Sequence, residues 1–278
     1  MLEKYKKDIE TFIEGVLSQM DEKEGVNQTL QAAIRYVLSG GGKRLRPSIM
    51  MYLCDVFEVP FELGIVPAAA LELIHNYTLV HDDLPGMDDD EFRRGLPTCH
   101  RKFNEGIAIL TGNALFTLSL QVMMNGMKNN GELLYKAMQV LLSASGIQGV
   151  LSGQAFDIEM KRDNKNTIIG LSPEEDIMEV LNMYYLKTGK LFEASFLIPG
   201  ILTKLTSEQQ NLLSECGSTL GVLYQIQDDI NDIPAEGNTV SDVRDSLIEN
   251  FDSCVDKMQG RFDKKKILAL KDFILNNS

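Results

Sequence analysis

The chain has 278 residues, 44% of them hydrophobic, and a formal net charge of −13. That length supports one large apolar core, and the acidic balance argues against a nucleic-acid partner and suits a protein that recruits cations. The four cysteines, Cys54, Cys99, Cys216 and Cys254, have neither CxxC nor Cys/His spacing, which speaks against a zinc site or a disulfide framework and for a reducing, cytoplasmic setting.

The opening MLEKYKKDIETFIEGVL alternates charged and apolar groups at helical spacing and has no signal-peptide core. No stretch reaches the uninterrupted apolar length of a membrane span, so no membrane insertion is expected. Apolar residues recur three and four apart almost everywhere, without an alternating strand pattern. The pattern predicts helices over 2–20, 27–39, 47–57, 67–83, 99–127, 132–152, 173–190, 191–204, 207–231, 240–258 and 264–276. Gly40, Gly41 and Gly42 end the second of these, and Pro47 opens the third after a short basic loop. Ser172-Pro173-Glu174-Glu175 reads as a capping box with proline at the first helical position, and Thr206 and Ser207 precede Gln209 and Gln210 in the same way. No repeat, low-complexity tract or long linker interrupts the chain. The expectation is a single all-α domain over 1–278.

Residues 81 to 95 read HDDLPGMDDDEFRRG, with six carboxylates between Asp82 and Glu91 followed at once by Arg93 and Arg94. Crowded carboxylates repel, so they are either solvated or neutralised by a cation. Apolar stretches on both sides argue against a solvated acidic loop. Pro85-Gly86 breaks the helix after Asp82 and Asp83, so a loop places Asp88. The DxDxDG order of an EF-hand is missing, since Leu84 and Gly86 stand where oxygen ligands are needed.

A second acidic run, LYQIQDDINDI, spans 223 to 233. On a helix Asp228 and Asp232 share a direction, with Gln225 one turn earlier and Asp229 beside them. A solvated helix face is the plain alternative, and the apolar STLGVLYQ just before weakens it. Two such clusters facing one another would hold several Mg²⁺ ions, which prefer one or two carboxylates, water and phosphate oxygens. The expected ligand is a diphosphate. GGGKRLRP puts Lys43, Arg44 and Arg46 on a glycine-rich loop that lacks Walker spacing. His75 lies seven residues before Asp82, on nearly the same helical face and roughly 10 Å away along the axis. Taken alone, such a histidine is more often a satisfied core residue, and the seven-residue relation to Asp82 is what favours a ligand role. His81 and His100 read as structural, His81 as an orienting group for the acidic loop.

These residues together resemble the trans-prenyl diphosphate synthases, the head-to-tail isoprenoid chain-elongation enzymes. The likeness runs from about 27 to 233 and rests on GGKRLRP (41–47), LELIHNYTLVHDDLPGMDDDEFRRG (71–95), GLPTCHRKF (95–103), GQAFD (153–157), KTGKLF (187–192) and YQIQDDIND (224–232). The spacing from Asp82 to Asp88 is most like bacterial farnesyl diphosphate synthases and their geranylgeranyl relatives. The resemblance implies the isoprenoid-synthase fold, long helices around a central active-site cavity, and a homodimer. It implies Mg²⁺, three per active site, held by Asp82, Asp83, Asp88, Asp228, Asp229 and Asp232. Arg93, Lys187, Thr188 and Gln225 would bind the allylic diphosphate. Lys43, Arg46, His75 and Arg94 would bind isopentenyl diphosphate, with Lys187, Arg93 and Arg94 as catalytic cations. Tyr77 and Thr78, five and four residues before Asp82, would set product length. The bulk of Tyr77 points to farnesyl diphosphate, with a geranylgeranyl product as runner-up.

Two departures stand out. Between Asp232 and Lys257 the sequence has no lysine, with Arg244 the only base, so the C-terminal lid is expected to be reduced. Asn113 in LTGNALF stands where the resemblance expects aspartate, which keeps shape and loses a charge. A class I terpene cyclase would not need the isopentenyl set, and a squalene-type synthase has different surrounding sequences. A lid-impaired homologue acting as a non-catalytic subunit is the remaining alternative.

Overall fold

The computed structural model describes all residues except 23, 163–166, 170–173, 233–237, 261 and 278, and leaves out the side chains of 174–176, 232, 238 and 239. Among the described residues the secondary structure is helical apart from one two-residue ribbon, and the chain divides into two compact units.

The first unit comprises Leu2–Tyr52 and Phe61–Met138. It contains α1 (Glu3–Asp21), α2 (Gln28–Ser39), the start of α3 (Leu45–Val56), α4 (Phe61–Asp82), β1 (Phe92–Arg93), β2 (Leu96–Pro97), α5 (Cys99–Lys102), α6 (Glu105–Gly126) and the start of α7 (Gly131–Ser145). α1 buries Tyr5, Ile9, Ile13 and Leu17, one stripe at helical spacing. Asn27 caps α2, its side chain accepting from the Leu30 amide at 3.1 Å. α4 and α6 pack on one another at the centre. α4 begins at Phe61, so Pro67 lies inside it and not ahead of it.

The helix expected over 99–127 is two helices. Asn104 leaves the helical conformation and caps α6 by accepting from the Ile107 amide at 2.9 Å. By length and composition alone both α4 and α6 could cross a membrane, although polar residues interrupt their apolar runs. In α4, 83% of the apolar window is buried within the protein, against 39% in α6. Ile109, Leu110 and Met124 of α6 are exposed.

The second unit comprises Leu53–Pro60 and Gln139–Ser278, with Met1. The helix expected over 132–152 stops at Ser145, and α8 (Val150–Arg162) follows. The break is at Gly149, where a Cβ would stand 2.0 Å from the Ala144 carbonyl oxygen. α9 (Glu174–Tyr184) runs through a π-turn (Tyr185–Gly189) into α10 (Lys190–Leu202), where the sequence pattern places a boundary at 190/191. The capping box at Ser172 lies outside the described residues. The one at Thr206 is present: its Oγ1 accepts from the Gln209 amide at 3.3 Å, and Gln209 Oε1 accepts from the Thr206 amide at 3.1 Å. It opens α11 (Ser207–Asp232), followed by α12 (Asn238–Lys257) and α13 (Lys264–Leu275). α10 and α11 approach closely because α11 carries glycine one turn apart. A Cβ at Gly217 would stand 2.7 Å from Glu193 Cα, and one at Gly221 2.6 Å from Gly189 Cα. Ile168, Val180, Met183, Tyr184 and Ile226 form a buried cluster beside this seam.

Candidate active site

In the first unit α4 ends at Asp82, and the chain folds back at once. The Asp88 amide donates to the Asp82 carbonyl at 2.9 Å, and the Asp89 amide to Leu84 at 3.1 Å. The loop that Pro85 and Gly86 start is therefore closed, and Asp82 and Asp88 stand at its two ends. Both are partly exposed.

The two adjacent arginines part company because of the ribbon between them. Phe92 pairs with Pro97 and Arg93 with Leu96, leaving Arg94-Gly95 as a two-residue turn with φ of 55° and 79°. Positive φ at both central residues is the hairpin turn that matches strand twist. Arg93, on the strand, reaches the acids: its Nε is 2.5 Å from Asp83 Oδ1 and its Nη2 2.8 Å from Asp90 Oδ2. Burial raises the Asp83 carboxyl above its ordinary range, and Arg93 only partly offsets this. Arg94, in the turn, goes to the glycine loop instead and donates to the Gly41 carbonyl at 2.6 Å. Gly42, with φ of 119°, lies under its guanidinium, and a Cβ there would be 2.5 Å from Arg94 Cζ. The triple glycine thus has a specific use, which is to let Arg94 close on the loop that carries Lys43.

Arg46 Nη1 lies 3.2 Å from His75 Nε2. Lys43 is exposed on the loop just before α3, so the four residues expected for isopentenyl diphosphate belong to one loop, one turn and two helices, α3 and α4, of a single unit. Burial, reinforced by Arg46, Arg94, Arg44 and Arg93, holds His75 well below the usual histidine range and keeps it neutral. Arg44 has a different role from its neighbours. It is 4% exposed, with Nη1 2.6 Å from Glu72 Oε1 and Nη2 donating to the Leu38 carbonyl. Asn76 Nδ2 donates to the same Glu72 oxygen at 2.7 Å. Tyr77 is buried, its ring edge-on to His81 at 5.5 Å and to Phe116 at 5.4 Å. Thr78 Oγ1 donates to the His75 carbonyl at 2.8 Å.

A pH dependence follows from His75. Its folded pKa lies below the unfolded value of about 6.5, so the neutral ring contributes stability that is complete above that value and declines as pH falls through it. Thermal midpoints at pH 7.5 and 5.5 are expected to differ less in His75→Gln than in the unaltered protein. An equal acid loss in both would sink this assignment.

In the second unit Lys187 and Thr188 lie in the π-turn. Lys187 Nζ is 2.5 Å from Asp157 Oδ2, with Lys161 Nζ on the same oxygen at 3.0 Å. Burial alone would raise the Asp157 carboxyl, but the two lysines outweigh it and bring it below its ordinary value. Gly153, one turn before Asp157, allows this approach, since a Cβ there would be 2.2 Å from the Lys187 amide nitrogen. Gly153 and Asp157 together are the use of GQAFD, and Asp157 is a site residue that sequence reasoning missed. The motif's spacing of four on a helix was the available signal.

Continuing the glycine face of α11 by single turns reaches Gln225 and then Asp229. Thr188 Oγ1 donates to Gln225 Oε1 at 3.0 Å, and Gln225 Nε2 donates to Asp229 Oδ1 at 2.9 Å. Asp229 Oδ2 accepts from Thr167 Oγ1 at 2.6 Å and from the Tyr184 hydroxyl. Gln225 therefore pairs with Asp229, while Asp228 is exposed. The Asp232 side chain and residues 233–237 of the expected lid lie outside the described residues, and the rest of that segment, to Lys257, is α12. Arg244 sits within α12.

Among the described residues no three His, Cys, Asp or Glu side chains form a ready-made metal cage. The donors at Asp82, Asp88 and Asp228 are hard carboxylate oxygens, the chemistry that fits Mg²⁺ retaining water and phosphate oxygens in its shell.

A helical fold with two acidic motifs and a glycine loop closed by an arginine beside Lys43 and Arg46 points to a class, the enzymes that work on prenyl diphosphates. The family described as polyprenyl synthetase matches residues 27–246, and the chain belongs to that family. It is 33% identical to a farnesyl diphosphate synthase of Micrococcus luteus over 90% of this chain and 82% of that one. It is 36% identical to the farnesyl diphosphate synthase of Escherichia coli strain K12 over 77% and 69%. It is also 36% identical to geranylgeranyl pyrophosphate synthase 11, chloroplastic, of Arabidopsis thaliana, over 74% of this chain and 56% of that one. A solved geranyltransferase of Legionella pneumophila superposes with a TM-score of 0.85 at 30% identity, covering 100% of this chain and 96% of that one.

Proposed function

We propose that the protein condenses isopentenyl diphosphate head-to-tail with dimethylallyl or geranyl diphosphate to give farnesyl diphosphate, in the cytoplasm and as a homodimer. The observation that carries the isopentenyl half is the closure of Arg94 on the glycine loop beside Lys43, Arg46 and neutral His75, a cationic cradle for a diphosphate held without metal. The allylic diphosphate falls to Arg93, Lys187, Thr188 and Gln225. Mg²⁺, three ions per site, would be held by Asp82, Asp88, Asp228 and Asp232, and supplies counter-charge to the departing diphosphate. Asp83 and Asp229 complete the two acidic clusters and orient Arg93 and Gln225. Lys187, Arg93 and Arg94 lower the barrier by facing the negative charge that grows on the leaving oxygen. The isopentenyl double bond, held at close range, forms the new carbon–carbon bond, and released diphosphate takes the proton that restores the alkene. Residues 1–278 work as one catalytic domain with a reduced lid after Asp232. The exposed apolar face of α6 at Ile109, Leu110 and Met124 is the surface for the second copy.

Tyr77 supports the C15 product, because its buried ring, packed on Phe116, fills space a longer chain would need. Relatives named for the geranylgeranyl product match at similar identity, though over less of their own length, which makes C20 the second reading. Purified protein with Mg²⁺, isopentenyl diphosphate and geranyl diphosphate is expected to yield C15 by mass spectrometry, and none with EDTA. Tyr77→Ala is expected to shift the product to C20 or longer. An unchanged product in that variant would remove Tyr77 from chain-length control, and an absence of condensation in the unaltered protein would defeat the function.

A further inference from the structure

α4 and α6 come into close contact at two glycines about four turns apart on α6. A Cβ at Gly126 would stand 2.6 Å from Val66 Cγ2, near the start of α4. A Cβ at Gly112 would stand 2.1 Å from His81 Nε2 and 2.4 Å from its Cδ2, at the end of α4. The His81 ring occupies the space a side chain at position 112 would take. Its Nε2 lies 3.2 Å from the Ile109 carbonyl oxygen, and its ring meets Tyr77 edge-on. Gly112 and Phe116 are one turn apart on α6, as are Tyr77 and His81 on α4, so the four interdigitate in one layer.

We infer that Gly112 and His81 form a positioning clamp for the first acidic cluster. His81 is the residue immediately before Asp82, and α4 ends at Asp82. A helix terminus frays unless side chains tie it down, and the ring seated on Gly112 ties this one to the middle of its neighbour. The Asp82 carbonyl in turn holds the Asp88 amide, so a displaced helix end carries both carboxylates with it. The clamp therefore sets where the loop presents its oxygens, and through Tyr77 it couples that placement to the aromatic layer. This rests on the reading that Asp82 and Asp88 bind Mg²⁺.

The test measures how much Mg²⁺ is needed for half-maximal binding of inorganic diphosphate, by calorimetry, alongside thermal unfolding and condensation. Gly112→Ala is expected to raise that concentration about 10-fold or more, the usual effect of losing a partner that orients a ligand. In Gly112→Ala/His81→Ala the clash is gone, and the value returns to the smaller loss of His81→Ala alone. Gly126→Ala creates a similar clash far from the acids, and is expected to lower thermal stability without moving the Mg²⁺ response. If Gly112→Ala behaves like Gly126→Ala, the clamp is overturned. Should Gly112→Ala not fold, His81→Ala decides, and an unchanged Mg²⁺ response there overturns it equally. Unaltered protein that binds diphosphate with Mg²⁺ yet makes no product would defeat the proposed function and leave the clamp standing. Absence of Mg²⁺-dependent binding would defeat both.

Discussion

Glu72→Ala is expected to cost about 3–5 kcal/mol of stability, the loss seen when one partner of a buried ion pair is removed. The side chains of Arg44 and Glu72 are 3% and 1% exposed, so the guanidinium left behind has no access to water. Its other acidic neighbour, Glu10, is 3.7 Å from Nε and partly exposed, a weak substitute. The consequence extends beyond stability. Arg44 has a φ of 47°, an uncommon conformation for a residue with a side chain, and it lies between Lys43 and Arg46. Freed from Glu72, the loop is expected to lose its fixed shape and the KM for isopentenyl diphosphate to rise, while metal dependence stays put. Urea unfolding gives the first number and steady-state kinetics the second. A loss below 1 kcal/mol would mean the pair is not the anchor of this loop.

Asp82→Ala is expected to lower kcat about 10²–10³-fold, the scale on which removal of one stabilising group at a developing charge is felt. The KM for isopentenyl diphosphate should change little, since that set of cations uses none of the acidic loop. The contrast between the two variants is the informative part. In the proposed function Glu72 supports the metal-free cradle and Asp82 the metal cluster, although both lie on α4. If Asp82→Ala moves the isopentenyl KM as strongly as kcat, the division of α4 into two diphosphate sites is wrong.

The residues expected to bind diphosphate were legible in the sequence because charge and glycine are costly to place without reason. Lys43, Arg46 and His75 could be grouped from loop chemistry and helical spacing before any coordinates, and the resemblance adds Arg94; Arg46 now lies against His75, and Arg94 against the loop that carries Lys43. The long helices were legible from their apolar period. What stayed hidden was decided by contacts distant in sequence. The ribbon at 92–97 is too short to show alternation, although Arg94-Gly95 is a recognisable turn pair once the pairing is known. Asn104 followed by Glu105 carries a capping signal, but the apolar period on both sides masks it. Asp157 closes the motif GQAFD but carries no role that the sequence could assign, and only the approach of Lys187 at Gly153 gives it one. Periodicity alone placed Gln225 near the Asp228 face, and the hydrogen bond to Asp229 corrects that by about one residue's rotation.

Lys187 and Thr188 stand in a π-turn, which holds more residues per turn than the α-helix on either side. The surrounding helix can accept many changes of residue type, because most of its positions ask only for size and polarity. Loss of one residue from 185–189 is a different event. The turn would close to ordinary α-helix, because a π-turn is an α-helix that carries one extra residue. The helices on either side would keep their faces, so α10 would stay on α11, while Lys187 and Thr188 would lose the widened turn that aims them at Asp157 and Gln225. This short stretch is thus the place in the chain where a three-nucleotide deletion would spare the packing and strike the expected site.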